Sequence, residues 1–314
     1  MTQENKETLR TCEDLKKEFK NLNYKDDSSR IQFTGADGKD VYNITAPFEA
    51  DGKMYIAGRV EARDSEHSKV VFFEKIGDTW AADLTAGTLT LQDPFVARIG
   101  GEQVIGGVEI FDDEEMPRQL NYRTIFYKGT SLKDLTRFAN GPDKMKDIRL
   151  CELENGKILV MTRPQGTIGG RGKIGYVIID SLEQLDSEHI EQAVILEHQF
   201  IDEEWGGCNE LHLLNNGKIG VLSHIAQYDG AGDRHYYSTC FCFDVKTGSY
   251  SPMKMIAVRA NFADGPSKRP DLKDVIFSGG LVRTGEGKAR LYCGVSDAQG
   301  HSIEIDDPFV TYES

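Results

Sequence analysis

The chain lacks any run approaching eighteen uninterrupted apolar residues, so a membrane-spanning helix is excluded. No CxxC pair occurs: Cys12, Cys151, Cys208, Cys240, Cys242 and Cys293 are scattered. The leading MTQENKETLR has no basic stretch followed by an apolar one, so export is not expected. In that setting the cysteines read as reduced, mostly buried thiols, and the expected location is cytoplasmic. Positive charge is also short: the net charge is −14, which argues against nucleic acid and against an acidic membrane surface as partners. GxSxG, HExxH and P-loop patterns are missing, and RIGGEQVIGG lacks the GxGxxG spacing and its helix. His212 and His224 stand alone in strand patterns, which fits positioning better than metal binding, so no metal site is expected. An acidic protein can still bind an anion, but it then needs a local cluster of arginines.

What the chain does have is a repeat. A turn glycine, a polar residue and an apolar strand recur in DGKMYIAGRVE, GGEQVIGGVEI, NGKILVMTRP, NGKIGVLSHI and GEGKARLYCGVSD. Gly52, Gly101, Gly156, Gly217 and Gly287 mark these turns, spaced 49, 55, 61 and 70 residues apart. Glycine supplies the positive φ that such hairpin turns need. Each turn follows one strand pattern (YNITAPFEA, DPFVARI, DIRLCELE, NELHLLN, DVIFSGGLVRT) and precedes another, such as KVVFFEK or GYVIID. Units of three or four strands at this period predict an all-β propeller. The repeat alone leaves five, six or seven blades open. Helix is expected only near Glu13–Asn21 and as a turn at Ser181–His189, giving an N-terminal helix and arm over 1–30 and a single domain over 31–314.

In a propeller the first strand of each blade lines the axis. Counting back from the turn glycines puts Asn43, Asp93, Arg149 and Glu210 at the leading positions, with Asp274 in the fifth unit. The second strands end in Arg59 with Glu61, Glu109, Arg163, His224 and Asp297. Two rings of polar side chains around one axis are costly unless they bind a polar ligand or join neighbouring blades by hydrogen bonds. Arginine forks hold phosphate or carboxylate, while carboxylates bind sugar hydroxyls or move protons. Arg171, in a Gly-rich loop near Arg163, is a third anion-site candidate or a surface residue. Carbohydrate chemistry involving an anion is the class these residues suggest.

The same segments resemble a known family. YNITAPFEADGKMYIAGRVEARD, LQDPFVARIGGEQVIGGVEIF, KDIRL with MTRPQG, GGCNELHLLNNGKIGVLSHI, and DVIFSGG with YCGVSD run in the order seen in glycoside hydrolase family 130, the β-mannoside phosphorylases. They are closer to glycosyltransferase family 108, formerly a domain of unknown function, whose members transfer or phosphorolyse β-1,2-mannosides. Glu61 in place of aspartate and Phe95 in place of arginine favour family 108. The resemblance implies a five-bladed β-propeller and an inverting, reversible β-1,2-mannooligosaccharide phosphorylase that forms α-mannose 1-phosphate. Phosphate is then a co-substrate and no cofactor is needed. It implies Asp93 as the sole catalytic acid, and Asn43, Arg59, Glu61, Glu109 and Asp297 around the mannose. Phosphate falls to Arg149, Arg163 and Arg171, with His224 and Tyr237 (or its neighbour Tyr236) in blade four. Asp93 must be protonated to act, so burial is expected to raise its pKa. The rival readings are a β-1,2-mannosyltransferase using the same site, a hydrolase with Glu109 or Glu210 as base, and a sugar-binding propeller without catalysis.

Overall fold

The structure, a computed structural model, describes residues 9–20, 28–112 and 120–313. Five successive antiparallel units follow one another along the chain. The first runs from Asp40–Tyr42 and Phe48–Ala50 through Lys53–Glu61 and Lys69–Ile76 to Thr79–Ala82. The second comprises Gln92–Ile99, Glu102–Asp112, Leu120–Gly129 and Thr136–Asn140. Arg149–Glu152, Ile158–Thr162, Gly175–Ile179 and Val194–Ile195 form the third. Glu204–Leu213, Ile219–Tyr228, Arg234–Asp244 and Lys254–Ala257 form the fourth. The fifth joins Asp274–Gly285, Lys288–Val295 and Gln299–Asp306. All five marker glycines have φ between 71° and 82°, the left-handed conformation that their hairpin turns demand.

The hydrophobic cores lie between consecutive units. Tyr55 and Phe72 of the first unit meet Ile105 and Ile125 of the second. Phe126 of the second meets Val160 of the third, and Leu159 of the third meets Val221 and Phe241 of the fourth. Leu222 of the fourth meets Leu281 and Leu291 of the fifth, while Tyr292 of the fifth packs on the Val41–Ile56 cluster of the first. The succession of cores therefore closes on itself. Sandwiching between neighbours explains why Ile158–Thr162 is buried along its whole length instead of alternating.

The N-terminal segment is fastened at two places. Helix Cys12–Lys20 lays Cys12, Leu15 and Phe19 on the core between units three and four. The Cys12 amide donates to Glu204 Oε1 at 2.7 Å. This helix starts one residue before the expected span, and Asn21 lies outside the described residues. Ser28–Arg30, assigned to the arm from sequence, pairs antiparallel with the last strand and adds a fourth strand to unit five. The expected turn at Ser181–His189 resolves into two short helical pieces, Leu182–Gln184 and Ser187–Glu191. All six cysteines are buried and free. Among the described residues no helix is long and apolar enough to cross a membrane.

Candidate active site

Short polar residues in a strained backbone state set the geometry of the site. Asn43, Asp93, Asp147 and Asp297 have φ of 43°, 48°, 60° and 50°. Asn and Asp are the side chains that best tolerate this left-handed region, and such strain concentrates at functional positions. At Asp93 the ladder also breaks register, so that Asp93 and Pro94 lie opposite Gly107. The break turns the Asp93 side chain out of the normal alternation.

Two polar groups result. In the first, the buried Arg59 guanidinium stacks over the Tyr42 ring at 5.0 Å. It donates to Glu61 Oε2 from Nε and Nη2 at 2.9 and 2.6 Å. Its Nη1 donates to Asp93 Oδ1 at 3.1 Å, and Asn43 Nδ2 donates to the same oxygen at 2.8 Å. The other Glu61 oxygen takes the Lys268 ammonium, which also pairs with Glu66 at 3.1 Å. Both oxygens of Glu61 are thus engaged by cations.

Burial works to raise the pKa of Asp93, but Arg59, Lys146 and the Asn43 hydrogen bond outweigh it and hold the carboxyl below its ordinary range. The sequence-based expectation of a raised value is reversed for the resting protein. Asp297 is the carboxyl that rises, to about 6, because burial and the Asp93 charge exceed the pull of Arg59, Lys268 and Lys146. One site therefore holds two carboxyls whose affinities for a proton are pushed in opposite directions, the pattern expected of acid–base chemistry.

The second group surrounds Asp147, which is buried. Arg163 Nε lies 3.6 Å from Asp147 Oδ2, Arg149 Nη2 4.0 Å from Oδ1, and His224 Nε2 4.0 Å from Oδ2. Burial opposes the Asp147 charge, yet its pKa is lowered, with the cations Arg163, Lys146 and Arg149 among the causes. Arg149 is fixed by donating to the carbonyls of Asn209 and Ile148 and by stacking at 4.4 Å on Phe95. Arg163 donates to the carbonyls of Gly206 and Arg171. Its Nη1, like Asn209 Nδ2, is buried with no hydrogen-bond partner among the described residues. Burial pushes His224 down to about 3, so its imidazole is neutral. Lys146 connects the groups: it is attracted to both Asp147 and Asp93, and these charges with Tyr236 overcome burial and raise its pKa.

Arg149, Arg163 and His224 thus meet in one place, as do Asn43, Arg59, Glu61, Asp93 and Asp297. Three expected site residues lie elsewhere. Glu109 is tied by ion pairs to Arg123 at 2.8 Å and Arg137 at 3.0 Å. The exposed Arg171 guanidinium rests over Trp205 and Tyr228, and only its carbonyl touches Arg163. Tyr237 points from the opposite face of its strand, where its hydroxyl bonds Asp274 and Lys16. Strand alternation gives the site position to Tyr236, which stacks on His224 at 5.7 Å. Two leading-ring residues join units or strands instead: Glu210 accepts from the Leu281 amide and contacts His212, and Asp274 holds His235 and Tyr237.

Lys146, Asn209 and Lys268 escaped the sequence reading. Asp147 entered it only as part of the KDIRL segment. It lies nine residues before Gly156, as Asn43 lies nine before Gly52; Asn209 lies eight before Gly217, as Asp93 lies eight before Gly101. An offset of eight or nine residues from the turn glycine was the available signal. Lys268 sits in the long connection between units four and five, where the repeat gives no register. Among the described residues no cluster of His, Cys, Asp and Glu is arranged to hold a metal ion.

Residues 17–311 match the family described as "Protein of unknown function (DUF1861)". No curated protein matches the sequence. MPT-4, a mannose phosphorylase from Leishmania mexicana solved with phosphate ion, is 35% identical with a TM-score of 0.88, over 96% of this chain and 95% of that one. MPT-1, a GDP-Man-dependent mannosyltransferase from the same organism, is 35% identical with a TM-score of 0.87, over 97% and 96%. The β-1,2-mannobiose phosphorylase of Listeria innocua shares the fold at 14% identity and a TM-score of 0.61, over 93% and 95%.

Proposed function

We propose a mannosyl-transferring phosphorylase, on the premise that the chain belongs to the DUF1861 family. The five antiparallel units are the blades of a five-bladed β-propeller, and they form one catalytic domain to which Ser28–Arg30 contributes a strand. The substrate is a β-mannoside, most simply a β-1,2-mannooligosaccharide, and inorganic phosphate is the co-substrate. No cofactor takes part. Free buried thiols suit a reducing cytoplasm.

One observation carries the reading: the Asp93 carboxyl, held by Asn43 and Arg59, is coupled through the charge of Lys146 to a buried cationic group whose Arg163 Nη1 has no hydrogen-bond partner among the described residues. A glycosidase needs two carboxylates, one of them to activate water. Phosphate is already a nucleophile, so an acid and an anion cradle suffice. Glu109 and Glu210, the bases of the hydrolase reading, are both held by other partners.

The mannose lies against Asn43, Arg59 and Asp297. Asp93 delivers a proton toward the leaving oxygen, and phosphate on Arg149 and Arg163 attacks C1 from the opposite face, giving α-mannose 1-phosphate. Asp93 is ionised in the resting site, so its proton must come with the ligands. A phosphate dianion beside Lys146 offsets the second of the two cations, after Arg59, that depress the Asp93 pKa, and a bound sugar displaces water; both changes favour the protonated acid. MPT-1 shows the same degree of similarity, so transfer from a nucleotide sugar is the competing donor chemistry.

The test is incubation with α-mannose 1-phosphate and mannose, with GDP-mannose in parallel. Released phosphate and β-linked oligomers from the first mixture are expected. Products from GDP-mannose alone assign the chain to the transferases, and no product from either overturns the enzymatic reading.

A further inference from the structure

The Asp147 group poses a problem for a simple anion cradle, because a carboxylate sits in its middle. Asn209 Oδ1 lies 2.9 Å from His224 Nδ1. The amide oxygen can only accept, so the ring proton is on Nδ1 and the neutral ring presents Nε2 as an acceptor. That nitrogen faces Asp147 Oδ2 at 4.0 Å. Two acceptors therefore confront each other in a buried space. Beside them, Arg163 Nη1 and Asn209 Nδ2 are buried donors with no acceptor among the described residues. Arg149 and Lys146 add positive charge. Buried donors left unmatched are costly, so the group calls for a ligand that accepts, and the two acceptors facing each other favour one that also donates.

We propose that this subsite selects an anion that carries its own proton, hydrogen phosphate, and that Asp147, assisted by His224 Nε2, is the specificity-determining residue that accepts the phosphate hydroxyl. The proposal rests on the phosphorylase reading and deepens it. Arg149, Arg163 and Asn209 donate to the bare oxygens, while Asp147 repels any anion oxygen that brings no hydrogen. Sulfate and fluorophosphate, which match phosphate in shape but have no acidic hydrogen at neutral pH, are rejected. The bridging phosphates of a nucleotide sugar are disfavoured for the same reason. A site built to bond a hydroxyl discriminates strongly against an analogue without it, since its acceptor is then buried unpaired.

The reaction balances with this ligand. The C1–O bond to the leaving sugar breaks as a phosphate oxygen bonds to C1, and the leaving oxygen takes a proton from Asp93. Hydrogen phosphate brings one proton in; once it is a sugar phosphate it releases that proton, which restores Asp93 through solvent.

Calorimetric titration of the full chain at neutral pH with inorganic phosphate, sulfate and fluorophosphate tests the idea. Phosphate is expected to bind at least ~10²-fold more tightly than either analogue. In Asp147→Asn, which removes the repulsion, the ratio is expected to fall to ~10-fold or less. Equal binding of the three anions to the wild-type protein overturns the proposal and leaves the phosphorylase reading standing. An unchanged ratio in D147N overturns the role given to Asp147. A wild-type protein that binds mannose but none of the anions overturns both readings. The wild-type comparison needs no variant, so poor folding of D147N does not remove the test.

Discussion

Asp297 is the residue whose burial has the clearest thermodynamic consequence. Its pKa rises from 3.8 to about 6, with burial as the largest cause and the Asp93 charge adding to it. The shift already includes the opposing attraction of Arg59, Lys268 and Lys146. A carboxyl with a raised folded-state pKa costs nothing while it is protonated in both states. As pH rises through the unfolded value and then the folded one, ionisation favours the unfolded chain. Two pKa units correspond to about 3 kcal/mol, so Asp297 subtracts roughly that amount above pH ~6 and almost nothing below pH ~4. Asparagine has the shape of the neutral acid and accepts the φ of 50° that Asp297 adopts. Asp297→Asn is therefore expected to stabilise the protein by up to about 3 kcal/mol at pH 7.5 and to leave it nearly unchanged at pH 4. Urea unfolding at several pH values measures both. A destabilised D297N at pH 7.5, or a gain that is the same at both pH values, refutes the reasoning. Because Asp297 is placed against the mannose, the more stable variant should also be the less active one.

Asp93→Asn keeps the left-handed backbone and the Asn43 and Arg59 neighbours but delivers no proton. Phosphorolysis of β-mannosides is expected to fall by ~10²–10⁴ with sugar binding retained, and a near-normal rate moves the acid to another residue. Tyr237→Phe removes a hydroxyl that bonds Asp274 and Lys16 away from the site. It should cost about 1 kcal/mol of stability and leave the KM for phosphate unchanged; a raised phosphate KM with unaltered stability returns Tyr237 to the anion site.

The β-units were legible because their signals are local. A glycine that must adopt positive φ, followed by a half-apolar strand, identifies each hairpin without knowledge of its neighbours. The residues gathered around Asp93 were legible for the same reason, since Asn43, Arg59, Glu61 and Asp93 all lie seven to nine residues from their turn glycines. Register beyond the turn was harder to read. In unit three a count of seven residues reached Arg149, whereas the left-handed position equivalent to Asn43 is Asp147, two residues earlier. The two have different tasks: Asp147 stands at the strained start of the strand, and Arg149, pinned by Asn209, Ile148 and Phe95, reaches it from within the ladder. Tyr237 and Tyr236 could not be separated by composition, because a shift of one residue along a strand exchanges its faces. The expected pKa of Asp93 failed for a third reason. Burial acts on every carboxyl of the site, but the field at each depends on where Lys146 and Lys268 reach. Both lysines come from connecting segments, where no period applies. What decides which carboxyl holds the proton is therefore the part of the site that the repeat does not encode.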